Sequence, residues 1–516
     1  MLWETTSTEG FWETFQSFPR GATAVVLLWV LWRIWRFKIV PSLNTKLPET
    51  LPYIVPFIGH LVGMSKNSNA MYTAGRQYFG NTKDVFTITV LGQEYYIVTR
   101  PSDILEVFRE TTKLDYDAIA KEYMETAGMT ATNNGRLFDY KGTSKHAIDR
   151  LHDNVKLQLH PGEKLDMLQK KILQNLDHSL QFAKLPGPAV ISSTEEAKVM
   201  SLWKWCSRVF VEATTASFYG KSIYVVWPNM VDDTLDFDAE AWKLDSGYPR
   251  FAARRMYSLK EKSQKAFADY AAQPSEKKAD ACWYMRGLDE AVTGAGVTDQ
   301  AQRSLLFWFM NRVINSNAFK HCFWCLAYLL HDEDLQANLT DEVRPAFTPS
   351  GDLDVSYLTN DCPLLESFCD EVLRMTVAPI GARRVVQQCE IGGKTLKPGR
   401  MVIMPYRQNH FDPYIFGDNP TEFDAYRFIK VKNLRRNPAW RPFGGGTSYC
   451  PGRYITRREV YMFLALTLNR FHLTLEESGS GLKQRFPAID DSIPAAGVLP
   501  PVYGHDVLVR VRPRKE

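Results

Sequence analysis

Cysteine is scarce, with eight residues in 516. Neither their number nor their irregular spacing makes a disulfide scaffold, so small secreted folds that depend on one are excluded and a reduced, cytosol-facing body is expected. Net charge is scarce too. Sixty-two basic against 58 acidic side chains leave +4, too little over this length to argue for a nucleic-acid partner. Repeats, low-complexity tracts and long linkers after residue 60 are absent. An uninterrupted apolar run of about 20 residues, enough to cross a bilayer, is also absent. What is present is an ordinary globular balance, 45% hydrophobic and 23% charged. It excludes disorder, collagen and coiled coil for the chain as a whole. Length alone suggests about three domains. Thirteen Trp, 23 Tyr and 29 Phe suggest a protein that handles apolar material.

The run Gly21 to Trp35 comes nearest to a membrane segment, broken only by Arg33. Arg33 and Arg36 can snorkel, and Trp29, Trp32 and Trp35 suit a headgroup belt. Glu4, Glu9 and Glu13 lie upstream, and Arg33, Arg36, Lys38 and Lys46 downstream, which places the body in the cytosol by the positive-inside rule. No small-residue cleavage site follows, so a single-pass anchor is expected rather than a signal peptide. Pro48, Pro52 and Pro56 then make a stiff connector. Residues 1–45 are therefore read as anchor and linker start, and 46–516 as the catalytic body.

Residues 85–100 read as a β-hairpin turning at Gln-Glu after Gly92, and 100–380 as mostly helical. Residues 273–298 read as partly loop. Thr298-Asp299 reads as an N-cap opening one helix to about Leu330, some 50 Å long. Leu306, Met310, Val313 and Asn317 share a face of it. Asn317 is the anomaly on that apolar stripe: a hydrogen-bonded core residue or the wall of a pocket. Cys322 and Cys325, although Cys-x-x-Cys, fall inside this helix and read as core, as does His321.

The most informative stretch is Phe443-Gly-Gly-Gly446-Thr-Ser-Tyr-Cys450-Pro-Gly452-Arg453. Glycines permit a flat ligand to approach the backbone. Cys450 precedes a helical pattern at 453–471, where the helix dipole favours thiolate, the metal-binding form. A lone Cys without His or Cys at zinc spacing does not suit tetrahedral zinc. It suits an ion held mostly by something else, such as a porphyrin. Phe443-x-x-Gly446-x-x-x-Cys450-x-Gly452 resembles the haem-binding signature of the cytochrome P450 family. Glu371 and Arg374, Glu-x-x-Arg on a helix opened by Pro363, are by spacing an ordinary ion pair. In the resemblance they join Arg427 of Phe-Asp-Ala-Tyr-Arg-Phe in a buried network, although Tyr426 stands where the family usually has proline.

The resemblance implies a mainly α fold with small β-sheets (α+β), one haem domain, and haem b (iron protoporphyrin IX) ligated by Cys450. Arg383 matches a position that pairs with a haem propionate, with Arg384 as competitor, since neighbouring strand residues face opposite ways. It implies an oxidoreductase, a monooxygenase inserting one oxygen atom from O2 into an apolar small molecule such as a steroid, terpenoid or polyketide-like secondary metabolite. Partners implied are the endoplasmic reticulum membrane, NADPH-cytochrome P450 reductase, through which NADPH acts only indirectly, and cytochrome b5. Lys430, Lys432, Arg435, Arg436, Arg457 and Arg458 form a basic cluster that would steer an acidic flavoprotein. Two departures stand out. The acid-alcohol pair of the distal helix is missing from Val313-Ile-Asn-Ser316-Asn317, leaving Asn315, Ser316 and Asn317 as distal candidates. The Trp-x-x-x-Arg of an earlier helix is missing too, leaving Lys145, His146 or Arg150. Both departures resemble the branch of bile-acid sterol hydroxylases and prostacyclin synthase, so a reductase-independent peroxide isomerase or dehydratase is the alternative. A non-enzymatic haem sensor built on Cys450-Pro451 is a third reading. Segments 115–140 and 485–500 are expected to line the substrate pocket.

Overall fold

The chain reverses at Leu91-Gly92, where both residues take positive φ, 48° and 77°. Two such residues make the turn whose twist matches its flanking strands. Phe86–Val90 and Gln93–Ile97 therefore pair antiparallel, with the turn just ahead of the Gln-Glu expected to form it. The computed structural model describes residues 20–139, 147–477, 484–494 and 497–514. The hairpin belongs to a six-stranded sheet ordered Glu49–Thr50, Phe86–Val90, Gln93–Ile97, Met401–Pro405, Ile380–Val385, Leu114–Asp115. A four-stranded sheet joins Phe471–Leu475, Leu508–Pro513, Lys198–Ser201 and Val190–Ser193, and a two-stranded one joins Cys389–Ile391 to Lys394–Leu396. Most of the remaining chain is helical, giving the mainly α fold with small sheets.

The principal core runs from Met124 to Val511. Its centre is the helix Ala318–His331, apolar but for Lys320, His321 and His331, with Cys322, Phe323, Trp324, Cys325 and Leu326 at 0% exposure. A helix without a polar face must be enclosed. It packs against Leu202–Tyr219, Pro363–Thr376 and Arg453–Arg470. Each large side chain buried there contributes about 1.5–3 kcal/mol.

Two expectations are corrected. The expected single helix from Thr298 to Leu330 is two, Gln300–Asn315 and Ala318–His331, interrupted at Ser316-Asn317. Asp299 does cap it, accepting from the Gln302 amide at 2.8 Å. The stretch 273–298 is partly loop, as expected, around the helix Trp283–Gly294, which buries Tyr284, Met285, Leu288 and Val292 on one face. The N-terminal run forms a 15-residue helix, Arg20–Ile34, about 22 Å long. No helix among the described residues is long and apolar enough to cross a membrane. Arg33 donates to the Tyr53 carbonyl at 2.5 Å and Arg36 pairs with Glu94 at 2.6 Å, docking this segment on the body. Glu4, Glu9 and Glu13 lie outside the described residues.

Candidate active site

Cys450 lies directly before the helix Arg453–Arg470, as its sequence context suggests. Its amide donates to the Phe443 carbonyl at 3.1 Å, closing the glycine loop. Burial pushes the thiol pKa up, and the Gly452 and Arg453 N–H groups and the Arg453 charge only partly oppose this. The helix N-terminus alone therefore does not make a thiolate here. A bound metal cation would favour the deprotonated sulfur. Gly446 has φ +61°, and a Cβ there would lie 2.8 Å from the Phe108 ring; at Gly445 the distance is 2.5 Å. These glycines thus admit Phe108 against the loop. Gly452 has room for a Cβ, 3.8 Å from Cys450 Sγ.

Arg383 and Arg384 separate as strand alternation requires. In Ile380–Val385 the residues Gly381, Arg383 and Val385 face inward. Arg384 turns out to Glu122 at 2.6 Å. Arg383 is 2% exposed. It donates to Ser448 Oγ at 2.9 Å, Thr447 Oγ1 at 3.4 Å and the Ala382 carbonyl at 2.7 Å, with the Tyr116 ring 5.2 Å away. No carboxylate among the described residues forms an ion pair with it, and burial lowers its pKa. Its hydrogen-bond partners are all neutral, and the Asp115 and Asp117 carboxylates act on it only through space, which leaves the buried guanidinium able to take an anionic partner. Two of its partners stand in the loop that carries Cys450. A cation awaiting a carboxylate and a thiol on one loop fit the propionate and iron of a haem. Phe108, Tyr116, Thr447 and Ser448 carry no signal in the spacing that would have singled them out.

Glu371, Arg374 and Arg427 meet. Glu371 and Arg374 are both 0% exposed and Arg427 is 8%. Arg374 grips Glu371 through Nε at 2.8 Å and Nη2 at 2.7 Å, and Arg427 Nε donates to it at 3.0 Å. The Asp424 amide adds a fourth donor at 3.0 Å. The surplus cation is absorbed by carbonyls, His410 at 2.9 Å and Glu422 at 2.7 Å among them. The pair that spacing alone would leave on a surface is thus a buried hub. It ties the helix Pro363–Thr376 to the segment leading into the cysteine loop.

A cavity of about 670 Å³ opens where the distal helix breaks. Val313, Ser316 and Asn317 form one wall, Leu235 and Trp242 another, and Gly497, Val498 and Pro500 a third. Its two cations are paired, Lys320 with Asp238 at 2.7 Å and Arg312 with Asp245 and the Tyr123 hydroxyl, while Asp490 and Asp506 at its edge accept from Ser492, Ser201 and Trp203. Such a wall asks for a largely apolar guest. Segment 485–500 lines it through Asp490, Ile493 and Gly497 to Pro500, with 495–496 outside the described residues. Segment 115–140 supplies no lining residue and reaches it only through Tyr123. Asn315 faces inward instead, donating to Thr215 and Asn311 at 2.9 Å each.

His321, Cys325 and Cys369 bring their ligand atoms within 4.8 Å of one another. All three are buried, His321 donor capacity is taken by the Cys369 carbonyl, and burial pushes Cys325 well up and His321 down to about 4. They pack two core helices and do not belong to the Cys450 loop. The basic cluster is mostly paired at home: Arg457 with Glu366 at 2.7 Å, Arg458 with Asp166 at 2.8 Å, Arg435 with Asp370 at 2.5 Å and Lys430 with Asp424 at 2.9 Å. Lys432 and Arg436 remain as exposed charges. Lys145 and His146 lie outside the described residues, and Arg150 is exposed.

The helical body thus brings together a glycine-looped cysteine, a buried arginine with neutral hydrogen-bond partners and a buried Glu-Arg-Arg hub, residues whose chemistry fits a haem. The comparisons agree. The model of the cytochrome P450 family matches residues 321–489, which include the hub and Cys450. A cytochrome P450 monooxygenase of Penicillium oxalicum, poxD, is 24% identical over 88% of this chain and 92% of its own. Cytochrome P450 7A1 of Sus scrofa is 22% identical over 87% and 90%. A 5-beta-cholestane-3-alpha,7-alpha-diol 12-alpha-hydroxylase of Sus scrofa is 23% identical over 91% and 95%. Residues 321–489 thus resemble the cytochrome P450 family, and the chain is similar over most of its length to mammalian and fungal proteins of that name.

Proposed function

We propose that the protein is a haem-thiolate monooxygenase that inserts one oxygen atom from O2 into an apolar small molecule of steroid, terpenoid or polyketide-like size. The observation that carries it is Arg383, buried and hydrogen-bonded only to neutral groups, two of them on the loop that holds Cys450. Cys450 is the axial ligand, Arg383 takes a propionate, and Phe443, Gly446 and Gly452 shape the loop around the sulfur. When bound, the thiolate-ligated haem supplies the activation of dioxygen. The chain supplies the rest. Glu371, Arg374 and Arg427 hold the loop in register. The walls at Leu235, Val313 and Val498 keep the cavity dry and orient the guest, and Ser316 and Asn317 are its polar edge. Residues 46–516 form the one haem domain.

Electrons reach it from NADPH-cytochrome P450 reductase, with cytochrome b5 as a second donor and Lys432 and Arg436 as the free charges of the docking face. Residues 1–45 attach it to the endoplasmic reticulum membrane by lying on the surface. Val25, Leu28 and Leu31 are 65%, 66% and 62% exposed, and Ile54 and Phe57 beside that helix are 70% and 66% exposed. Exposed apolar side chains of this density mark an interaction surface. A second reading, a hydroperoxide isomerase or dehydratase that needs no reductase, is motivated by the missing acid-alcohol pair. The test is spectral and kinetic. The reduced protein with carbon monoxide should show the red-shifted band of a thiolate ligand, lost in Cys450→Ala, and turnover should require NADPH and reductase. Absence of haem would refute the proposal, and hydroperoxide turnover without NADPH would establish the second reading in its place.

A further inference from the structure

The polar interruption of the distal helix is committed to a partner. Asn317 Oδ1 accepts the backbone N–H of Val498 at 2.9 Å, and its Nδ2 donates to Ser316 Oγ at 3.0 Å. The neighbouring Gly497 leaves no room for a side chain: a Cβ there would lie 2.1 Å from Asn317 Oδ1. Two turns further along the same helix face, Trp324 Nε1 donates to the Leu499 carbonyl at 2.8 Å. From the other side, the Leu499 amide donates to Thr376 at 2.9 Å and the Ala378 amide to Gly497 at 2.8 Å. Val498 itself bridges to Val377. The segment Gly497–Leu499 is thus pinned between the distal helix and the end of the Glu371 helix. It is also a wall of the cavity, as are Asn317 and Ser316.

We propose that Asn317 is a latch: its side-chain oxygen fixes the backbone of Gly497–Leu499 as a cavity wall and so selects which part of the substrate is presented for oxidation. This rests on the monooxygenase reading for its consequence, but not for its geometry. The amide oxygen, already engaged by Val498, is a positioning group rather than a proton donor. Ser316 is held by the same side chain. The wall is built from a backbone segment that has few options. Gly497 must stay bare for the latch to close, and residues 377–378 and Trp324 fix its other contacts. Asn317 is therefore the one contact that a modest substitution removes without opening the core.

The test starts with hydrogen–deuterium exchange of the haem-loaded full chain. Asn317→Ala removes the acceptor and should speed exchange at the Val498 amide about 3- to 10-fold, the ratio expected for one lost hydrogen bond. Asn317→Asp keeps an acceptor oxygen and should leave exchange as in the native protein. Gly497→Ala displaces that oxygen and should reproduce Asn317→Ala, and the double variant should be no worse than either single one. Imidazoles bearing aryl groups of increasing length, titrated by their haem spectral shift, then probe the wall. Asn317→Ala should change their relative affinities. Exchange at Val498 within twofold of native in Asn317→Ala, or additive effects of the two substitutions, would overturn the latch. A uniform change along the imidazole series, with peroxide release increased, would overturn the selectivity and identify a proton-relay role instead. Failure of the monooxygenase reading would show separately, as absent haem or NADPH-independent turnover, with the exchange result unaffected.

Discussion

Replacing Glu371 by Gln keeps the shape of the buried hub and removes its only negative charge. Four donors converge on that carboxylate: Arg374 Nε and Nη2 at 2.8 and 2.7 Å, Arg427 Nε at 3.0 Å and the Asp424 amide at 3.0 Å. The glutamine amide group would turn a donor toward guanidinium donors. Two cations, at 0% and 8% exposure, would be left without a counter-ion. Removing one partner of a buried ion pair costs about 3–5 kcal/mol. Total stability is about 5–15 kcal/mol, so the loss shifts the folded ratio by roughly three orders of magnitude. The same chain provides a control at the same spacing. Asp341 and Arg344 pair at 2.9 Å with 70% and 64% exposure. Asp341→Asn should cost less than about 1 kcal/mol. Denaturant titration followed by far-ultraviolet circular dichroism, together with haem per chain, measures both. A Glu371→Gln protein with full haem content, destabilised no more than Asp341→Asn, would refute the argument that burial makes this pair.

Arg383→Gln should accelerate haem loss to an apoprotein acceptor at least tenfold, whereas Arg384→Gln, on the outward face, should leave it unchanged. Equal effects would refute the assignment. Glu459 accepts no hydrogen bond from the described residues, and burial raises its pKa to about 8. Its folded pKa lies above the unfolded value, so its contribution is fully present below about pH 4.5 and falls away as pH rises to 8. Glu459→Gln should therefore raise Tm at pH 8 but not at pH 4.5; a Tm gain independent of pH would count against it. Leu28→Glu/Leu31→Glu should abolish flotation with anionic lipid vesicles while leaving haem content intact. Unchanged flotation would exclude this face as the membrane contact.

The chemistry-bearing residues were legible along the chain because their constraints are local. Cys450 is marked by the glycines before it and the helix after it. The hub pair is marked by a three-residue spacing on a helix opened by Pro363. Apolar periodicity marked the central helix as core, because a helix without a polar face has only one place to go. The hairpin was legible from alternation, although its turn was displaced, since Leu91 gives no sign that it adopts positive φ.

Other properties came only with the tertiary structure. Spacing cannot distinguish Glu371–Arg374 from Asp341–Arg344; enclosure by the segment 410–427 makes the first a buried hub. Two adjacent arginines, 383 and 384, are equivalent on paper, and the inward phase of one strand assigns the anion pocket to the first. The basic cluster near the loop counts six cations in order, but Glu366, Asp370 and Asp166 arrive from distant helices to pair three of them and Asp424, six residues upstream, pairs Lys430. The break at Ser316-Asn317 is the clearest case. Helical propensity favours continuing through it, and only the Val498 amide, 181 residues away, supplies the hydrogen bond that turns a polar interruption into part of a cavity wall.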